Sequence, residues 1–371
     1  MNMITRRAAF ALAALGLAAI QPASAGDVKP FFKTPIELDL TKAELGPSGA
    51  PATPASDIKL TAEEEAKIRA GNYTAALLWA GAGEWYAALD AGATKRFQEL
   101  GMKVVARSDA NFDAATQAND VGNALSLKPS VILSLIVDPT SGAAAFRPAI
   151  EKGVKLALAD NGADGYVPGK DYVGIVTGNH YGMGVAAAEM MNQALGGKGA
   201  VGYIFHDAKF FVTNNRDNAF RATLEQKMPG LLIVDAKGFT AENQTFDLAS
   251  AMIQQHPEIK GIYVAWDVAA EGVIEALRAA GRSDVKVVTM DLGATNDLDM
   301  AKKGNLYATV IDRPYDIGYS MATLAAYGLL GKEAPPFSTV GLVKVTRDNL
   351  GQAWDETLKK PLPDQIKKAL Q

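Results

Sequence analysis

The chain has no cysteine and only three histidines among its 371 residues. The first absence excludes a disulfide framework and thiolate chemistry, and the second leaves little for a zinc site or an imidazole-based catalyst. Neither His-Glu-x-x-His nor Gly-x-Ser-x-Gly occurs, and Gly196-Gly197-Lys198-Gly199 lacks the spacing of a phosphate loop. Gly81-Ala82-Gly83 begins like a dinucleotide fingerprint, but Tyr86 stands where the third glycine belongs. Asp109, Asn111 and Asp113 imitate the first ligands of a calcium loop, yet Ala114 holds the glycine position and Asp120 that of the bidentate Glu. No cofactor and no metal is expected. The chain reads as a non-enzyme, with acid–base work by an Asp pair as the one catalytic route left open.

Basic runs are missing as well. Without Arg6 and Arg7 the chain carries 35 basic against 41 acidic side chains, a formal charge of −6, which argues against nucleic acid as a partner. Long apolar runs are confined to the N-terminus. There, Arg6 and Arg7 precede an apolar stretch from Ala8 to Ile20, and Ala23-Ser24-Ala25 supplies the small residues of a cleavage site. Residues 1–25 are read as an export signal, because the run is shorter than the roughly 20 residues that cross a bilayer as an anchor. The aromatic at Phe10 sits one position late for the twin-arginine pattern, which points to the general secretory route. Either route leads outside the cytoplasm.

Residues 26–60 are rich in Pro, Ala and Gly and show little periodicity, so they read as a disordered tether. Order is expected from Thr61, which with Glu64 forms the capping box of a short helix. Beyond Asn72, short apolar strands alternate with amphipathic helices. Expected strands are Tyr73–Trp79, Lys103–Arg107, Val131–Leu135, Lys155–Ala159 and Tyr172–Val176. A second series comprises Val201–Phe205, Leu231–Ala236, Gly261–Val264, Lys286–Met290 and Leu306–Val310. Nearly continuous apolar strands separated by helices signify parallel sheets covered on both faces, and two series imply two doubly wound α/β lobes. Ligands of such sheets bind where the loops gather at the carboxyl ends of the strands.

The residues at those ends are Trp85 and Tyr86, Asp138, Asp160 and Asn161, Trp266 and Asp267, Asp291, and Asp312 with Arg313. An Asp between a strand and a helix is also an ordinary cap, and Tyr86 could be core packing. The convergence of acids and rings in both series favours one shared site. Carboxylates accept paired hydroxyl hydrogen bonds, a guanidinium donates them, and a flat ring covers an apolar C–H face. His206 and Asp207 could reach the same place or form a solvated loop; His180 could be exposed.

From Asn72 to about Val345 the chain resembles the type I periplasmic binding proteins of the ribose-binding family. The resemblance rests on Asn214 to Phe220, Val287-Val288-Thr289-Met290-Asp291, and Tyr307 to Gly318. It implies two lobes joined by a three-strand hinge that close over a ligand: 61–176 with 312–340, and 177–311 with 341–371. It also implies the extracytoplasmic substrate-binding component of an ABC importer, a monomer in the periplasm that passes a small sugar or polyol to an inner-membrane permease. A sensory protein serving a chemoreceptor or sensor kinase is the alternative. By resemblance, the ligand-binding positions fall on Trp85, Tyr86, Asp138, Asp160, Asn161, Arg216, Trp266, Asp291 and Asp312. The family's arginine is lost at Asn161, and Asp138 and Asp312 replace amides. The pocket is therefore expected to be more acidic than a ribose site, with Arg216 and Arg313 offsetting part of the charge. A neutral polyhydroxy ligand is expected, with a cationic one such as an amino sugar as the alternative.

Overall fold

The structure is a computed structural model that describes residues 29–42 and 44–371. The expected signal segment lies outside them. The first lobe contains β1 (Thr53–Pro54), α1 (Ala62–Ala70), β2 (Thr74–Trp79), α2 (Glu84–Glu99), β3 (Lys103–Asp109), α3 (Ala114–Ser126), β4 (Val131–Leu135), α4 (Pro139–Glu151), β5 (Lys155–Ala159) and β6 (Ile175–Gly178). The chain then builds the second lobe from α5 (His180–Leu195), β7 (Gly199–His206), α6 (Phe211–Lys227), β8 (Leu231–Phe239), α7 (Thr245–Gln255), β9 (Ile259–Val264), α8 (Asp267–Ala279), β10 (Lys286–Met290), α9 (Ala294–Ala301) and β11 (Leu306–Ile311). It returns through α10 (Pro314–Leu330) and β12 (Phe337–Val340) to the first lobe, and ends on the second with β13 (Val343–Thr346), α11 (Leu350–Leu358) and α12 (Asp364–Leu370).

The first sheet has the order β1-β12-β6-β5-β4-β2-β3 and is parallel throughout. The second has the order β13-β11-β10-β9-β7-β8, with only β13 antiparallel. Both sheets run outward from their first strand to the second on one side and to the third, fourth and fifth on the other. They are two copies of one winding. Three connections cross between them after β6, β11 and β12, and among the described residues the segment ahead of β1 crosses as well.

Local chemistry explains the element ends. The Thr61–Glu64 capping box forms, with Glu64 N donating to Thr61 Oγ1 at 3.2 Å and Thr61 N donating to Glu64 Oε2 at 2.7 Å. Pro314 opens α10, where its missing N–H costs nothing, and Gly331 closes it in the left-handed conformation. The central strands are buried along their length and each sheet packs apolar side chains on both faces. Fully buried side chains such as Leu77, Phe97 and Phe146 contribute about 1.5–3 kcal/mol each.

Residues 29–60 do not form the expected tether. Phe31 N donates to Ile233 O of β8, Arg221 donates to Thr34 O, and Ile36 N donates to Glu225, all on the second lobe. Farther along, Thr53 and Pro54 pair with β12 of the first lobe. Composition suggested disorder, but a few aromatics and main-chain hydrogen bonds dock the segment on a preformed surface. Among the described residues no helix is long and apolar enough to cross a membrane.

Candidate functional site

The carboxyl ends of the two sheets face each other across a cleft of about 570 Å³. Eight of the nine expected residues line it: Trp85, Tyr86, Asp138 and Asp160 from the first lobe, Arg216, Trp266 and Asp291 from the second, and Asp312 on a crossing.

Two of the acids occupy equivalent places. Asp160 ends β5 and Asp291 ends β10, the fourth winding strand of each lobe, and both are left-handed with φ of 58° and 66°. This conformation is uncommon outside glycine, and Asp is among the few residues that tolerate it. Each is held by its backbone N–H donating to the neighbouring strand, Asp160 to Val176 O and Asp291 to Val310 O. The strain turns both carboxylates into the cleft.

Their partners differ. Arg216 donates through Nη1 to Asp291 Oδ2 at 3.1 Å, while Arg216 Nε and Asp291 Oδ1 are buried with no partner. Asp160 Oδ1 accepts the Thr177 hydroxyl at 2.5 Å, and Thr177 lies 2.6 Å from His180 Nε2. Because the hydroxyl proton points at Asp160, the imidazole must donate from Nε2, which leaves Nδ1 as an unpartnered acceptor. Burial and Arg216 hold His180 well below its ordinary pKa, so it is neutral. His180 is thus fully buried behind the site and not solvent-exposed.

Asp312 accepts the Trp85 indole N–H at 2.9 Å. Its side chain packs against Gly178 on the adjoining crossing, where an added Cβ would meet Oδ2 at 2.7 Å and push the carboxylate aside. Burial, with Asp291 and Asp160 nearby, pushes the Asp312 pKa well up. Burial also raises Asp160 to about 6 and Asp267 to about 7. Arg313 does not share this charge as expected. It pairs with Asp316 at 2.6 Å and Glu356 at 2.5 Å, because the chain turns it toward α11.

Asn161 is the exception among the nine. It is buried away from the cleft lining, and its Nδ2 donates to Ile136 O at 3.0 Å, bridging the ends of β4 and β5. Asp138 plays the capping role, since its Oδ1 accepts both Ser141 N at 2.7 Å and Ser141 Oγ at 2.6 Å at the start of α4, while still bordering the cleft. Trp266 donates to Glu242 at 2.5 Å and packs against Phe239 and His206. Several lining residues went unread in the sequence: Phe112 and Phe210, which extend the aromatic walls, and Glu242. Phe112 and Glu242 follow the second strand of each lobe, so the strand-end rule applied to every strand would have found them.

The chemistry is that of a clamp. Edge-to-face Trp85, Tyr86 and Phe112 line one wall and Trp266 the other, Phe210 reaches from the second lobe onto the first-lobe core, and carboxylates and a guanidinium border the same space. Residues 75–333 match the family model described as periplasmic binding protein domain. The chain belongs to that family. The ribose import binding protein of Bacillus subtilis is 28% identical over 250 residues, covering 66% of this chain and 77% of its own. The xylitol-binding protein of Mycolicibacterium smegmatis is 24% identical over 254 residues, 68% of this chain and 71% of that one. Among solved structures, an ABC transporter solute-binding protein from Agrobacterium vitis bound with alpha-D-tagatopyranose superposes with a TM-score of 0.70. It is 20% identical and covers 79% of this chain and all of that one. This periplasmic binding protein thus shares the two-lobed fold of these neighbours.

Proposed function

We propose that this chain is the extracytoplasmic substrate-binding component of an ABC importer, closing its lobes on a small sugar or polyol. The observation that carries the reading is the opposed pair of strand-end aspartates between aromatic walls, with Asp291 Oδ1 and Arg216 Nε buried and unpartnered. Hydroxyl groups complete such atoms, and rings cover the sugar's C–H faces. The relatives' names support it, since they are a ribose import binding protein, D-apiose import binding proteins and a xylitol-binding protein. The site acts by binding, not catalysis, with the periplasm as its compartment, an inner-membrane permease as its partner and the monomer as its working form.

A second reading has its own support. Besides burial, Asp291 pushes up the pKa of Asp160, and both push up that of Asp312, while all three acids face one guanidinium, Arg216, a crowding that an ammonium on the ligand would relieve. A melting-shift screen over pentoses, hexoses, tetritols, pentitols and amino sugars, followed by calorimetry, tests both. A neutral ligand should gain no more than about tenfold in affinity from pH 5.5 to 8 as Asp160 ionises into a better acceptor, the reverse of Asp160→Asn. A cationic one should gain more, and at pH 7 should bind more tightly than its neutral parent sugar. Turnover of any compound, or no shift with any, would overturn the proposal.

A further inference from the structure

The segment before the family-matched residues crosses from one lobe to the other and places one buried carboxylate at the crossing. On the second lobe, Phe32 lies 3.4 Å beneath the Arg221 guanidinium and edge-on to Tyr203. On the first, Thr53 Oγ1 donates to Phe337 O at 3.1 Å and the strand Thr53–Pro54 extends the sheet. Glu44 lies between these anchors with 6% exposure. Its Oε2 accepts Tyr181 N at 3.2 Å, and its Oε1 accepts Asn215 Nδ2 at 3.0 Å.

Both donors are neighbours of residues that shape the cleft. Tyr181 follows His180, whose imidazole backs Thr177 and through it Asp160; Asn215 precedes Arg216, which holds Asp291. Tyr181 N is also one of the orphan amides in the first turn of α5, where a negative side chain is favoured. The two helices meet almost backbone to backbone: a Cβ on Gly184 would lie 2.3 Å from Arg216 O. A small shift of either helix start is therefore transmitted to the other.

We infer that Glu44 is a positioning residue for the cleft, stapling the starts of α5 and α6 so that Asp160 and Arg216 meet the same ligand. The inference rests on the sugar-binding reading above. It explains why a segment outside the family's matched region carries a buried acid at all. Burial also holds the Glu44 pKa up, to about 7, while its hydrogen bonds from Tyr181 and Asn215 act against that rise.

The test compares full-length Glu44→Ala, Glu44→Gln and Thr53→Ala, using whichever of D-tagatose, D-arabinose and xylitol gives the largest melting shift with the wild type. Glu44→Ala should weaken binding about tenfold or more, and Glu44→Gln, which keeps an acceptor, should return to within about threefold. Thr53→Ala loosens the same segment at its other anchor and should lower the melting temperature without changing affinity. Wild-type affinity in Glu44→Ala would overturn the inference, as would equal weakening by Thr53→Ala. If Glu44→Ala does not fold, Asn215→Ala replaces it, with a severalfold loss expected and wild-type affinity again overturning the inference. The His180 ring ¹⁵N shifts in the ligand-free protein separate the two ideas. They should move in Glu44→Ala even if no compound of the wider screen binds, in which case the sugar reading fails and the staple stands. Unmoved shifts overturn the staple whatever the sugars do.

Discussion

Asp160 and Asp291 occupy the same place in two copies of one winding, share a left-handed backbone and each hang from the equivalent neighbouring strand, β6 or β11, yet they sit in opposite electrostatic company. Asp160 is satisfied by a neutral relay that runs through Thr177 at the end of β6 to His180 at the start of α5 on the second lobe. The second lobe satisfies its own acid with a buried guanidinium and leaves one atom of each partner free. The difference shows how one scaffold builds a two-sided clamp. One lobe offers a carboxylate backed by a neutral hydroxyl, with a pKa of about 6, and the other an ion pair in which burial pushes Asp291 up while Arg216 opposes the rise.

The largest effect should come from breaking the second-lobe pair. Arg216→Ala strands Asp291 beside other acids, and it should cost about 3–5 kcal/mol of stability and abolish measurable binding. Chemical denaturation and calorimetry on one preparation check both; tight binding by this variant would erase the contrast between the lobes. The matched change in the first lobe, Asp160→Asn, should leave stability within about 1 kcal/mol because it removes a desolvated charge and keeps an acceptor for Thr177. Affinity should still fall about tenfold.

A pH series sharpens the comparison. Glu44, Asp217 and Asp267 stand at about 7 and Asp160 at about 6, all above their unfolded values. Between the unfolded and folded values the folded protein holds more protons. His180 and His206, held below their ordinary values by burial, work in the opposite sense near pH 6, but the raised acids outnumber them, so stability falls from pH 5 to about 7 and then levels. Asp160→Asn should make this slope shallower below about pH 6 and leave the part between pH 6 and 7. A melting temperature that rises from pH 5 to 8 would contradict the burial of these acids.

Smaller effects test the margins. Trp85→Phe keeps a ring but removes the donor to Asp312, and should weaken binding by about one hydrogen bond, roughly 1 kcal/mol or severalfold. Asn161→Ala should lower stability by about 1 kcal/mol through loss of its bond to Ile136 O, with affinity unchanged within twofold. A selective loss of affinity there would return Asn161 to the site.

Much of this contrast could be read before folding. The apolar strands and the amphipathic helices between them reveal two windings because a strand or helix advertises its buried face through spacing along a few residues. The strand-end rule then names Asp160, Asp291, Trp85 and Trp266, which line the cleft. What could not be read is which way a side chain turns once its neighbours arrive. Asn161 is adjacent to Asp160 and points to the β4 end, Asp138 caps its own helix, and Arg313 pairs with Glu356 across a helix start.

Residues 29–60 mark the boundary most clearly. Their composition determines only that they build no element of substance by themselves, since they lack a periodic apolar face. Their docking depends on groups such as Asn215, 171 residues from Glu44, and Phe337, 284 residues from Thr53, which local pattern cannot bring together. The sequence alone determined the two windings, because backbone pairing and apolar periodicity are short-range properties. Tertiary structure alone decided how charge is shared in the cleft, because desolvation and pairing depend on every group that folding brings within a few ångströms.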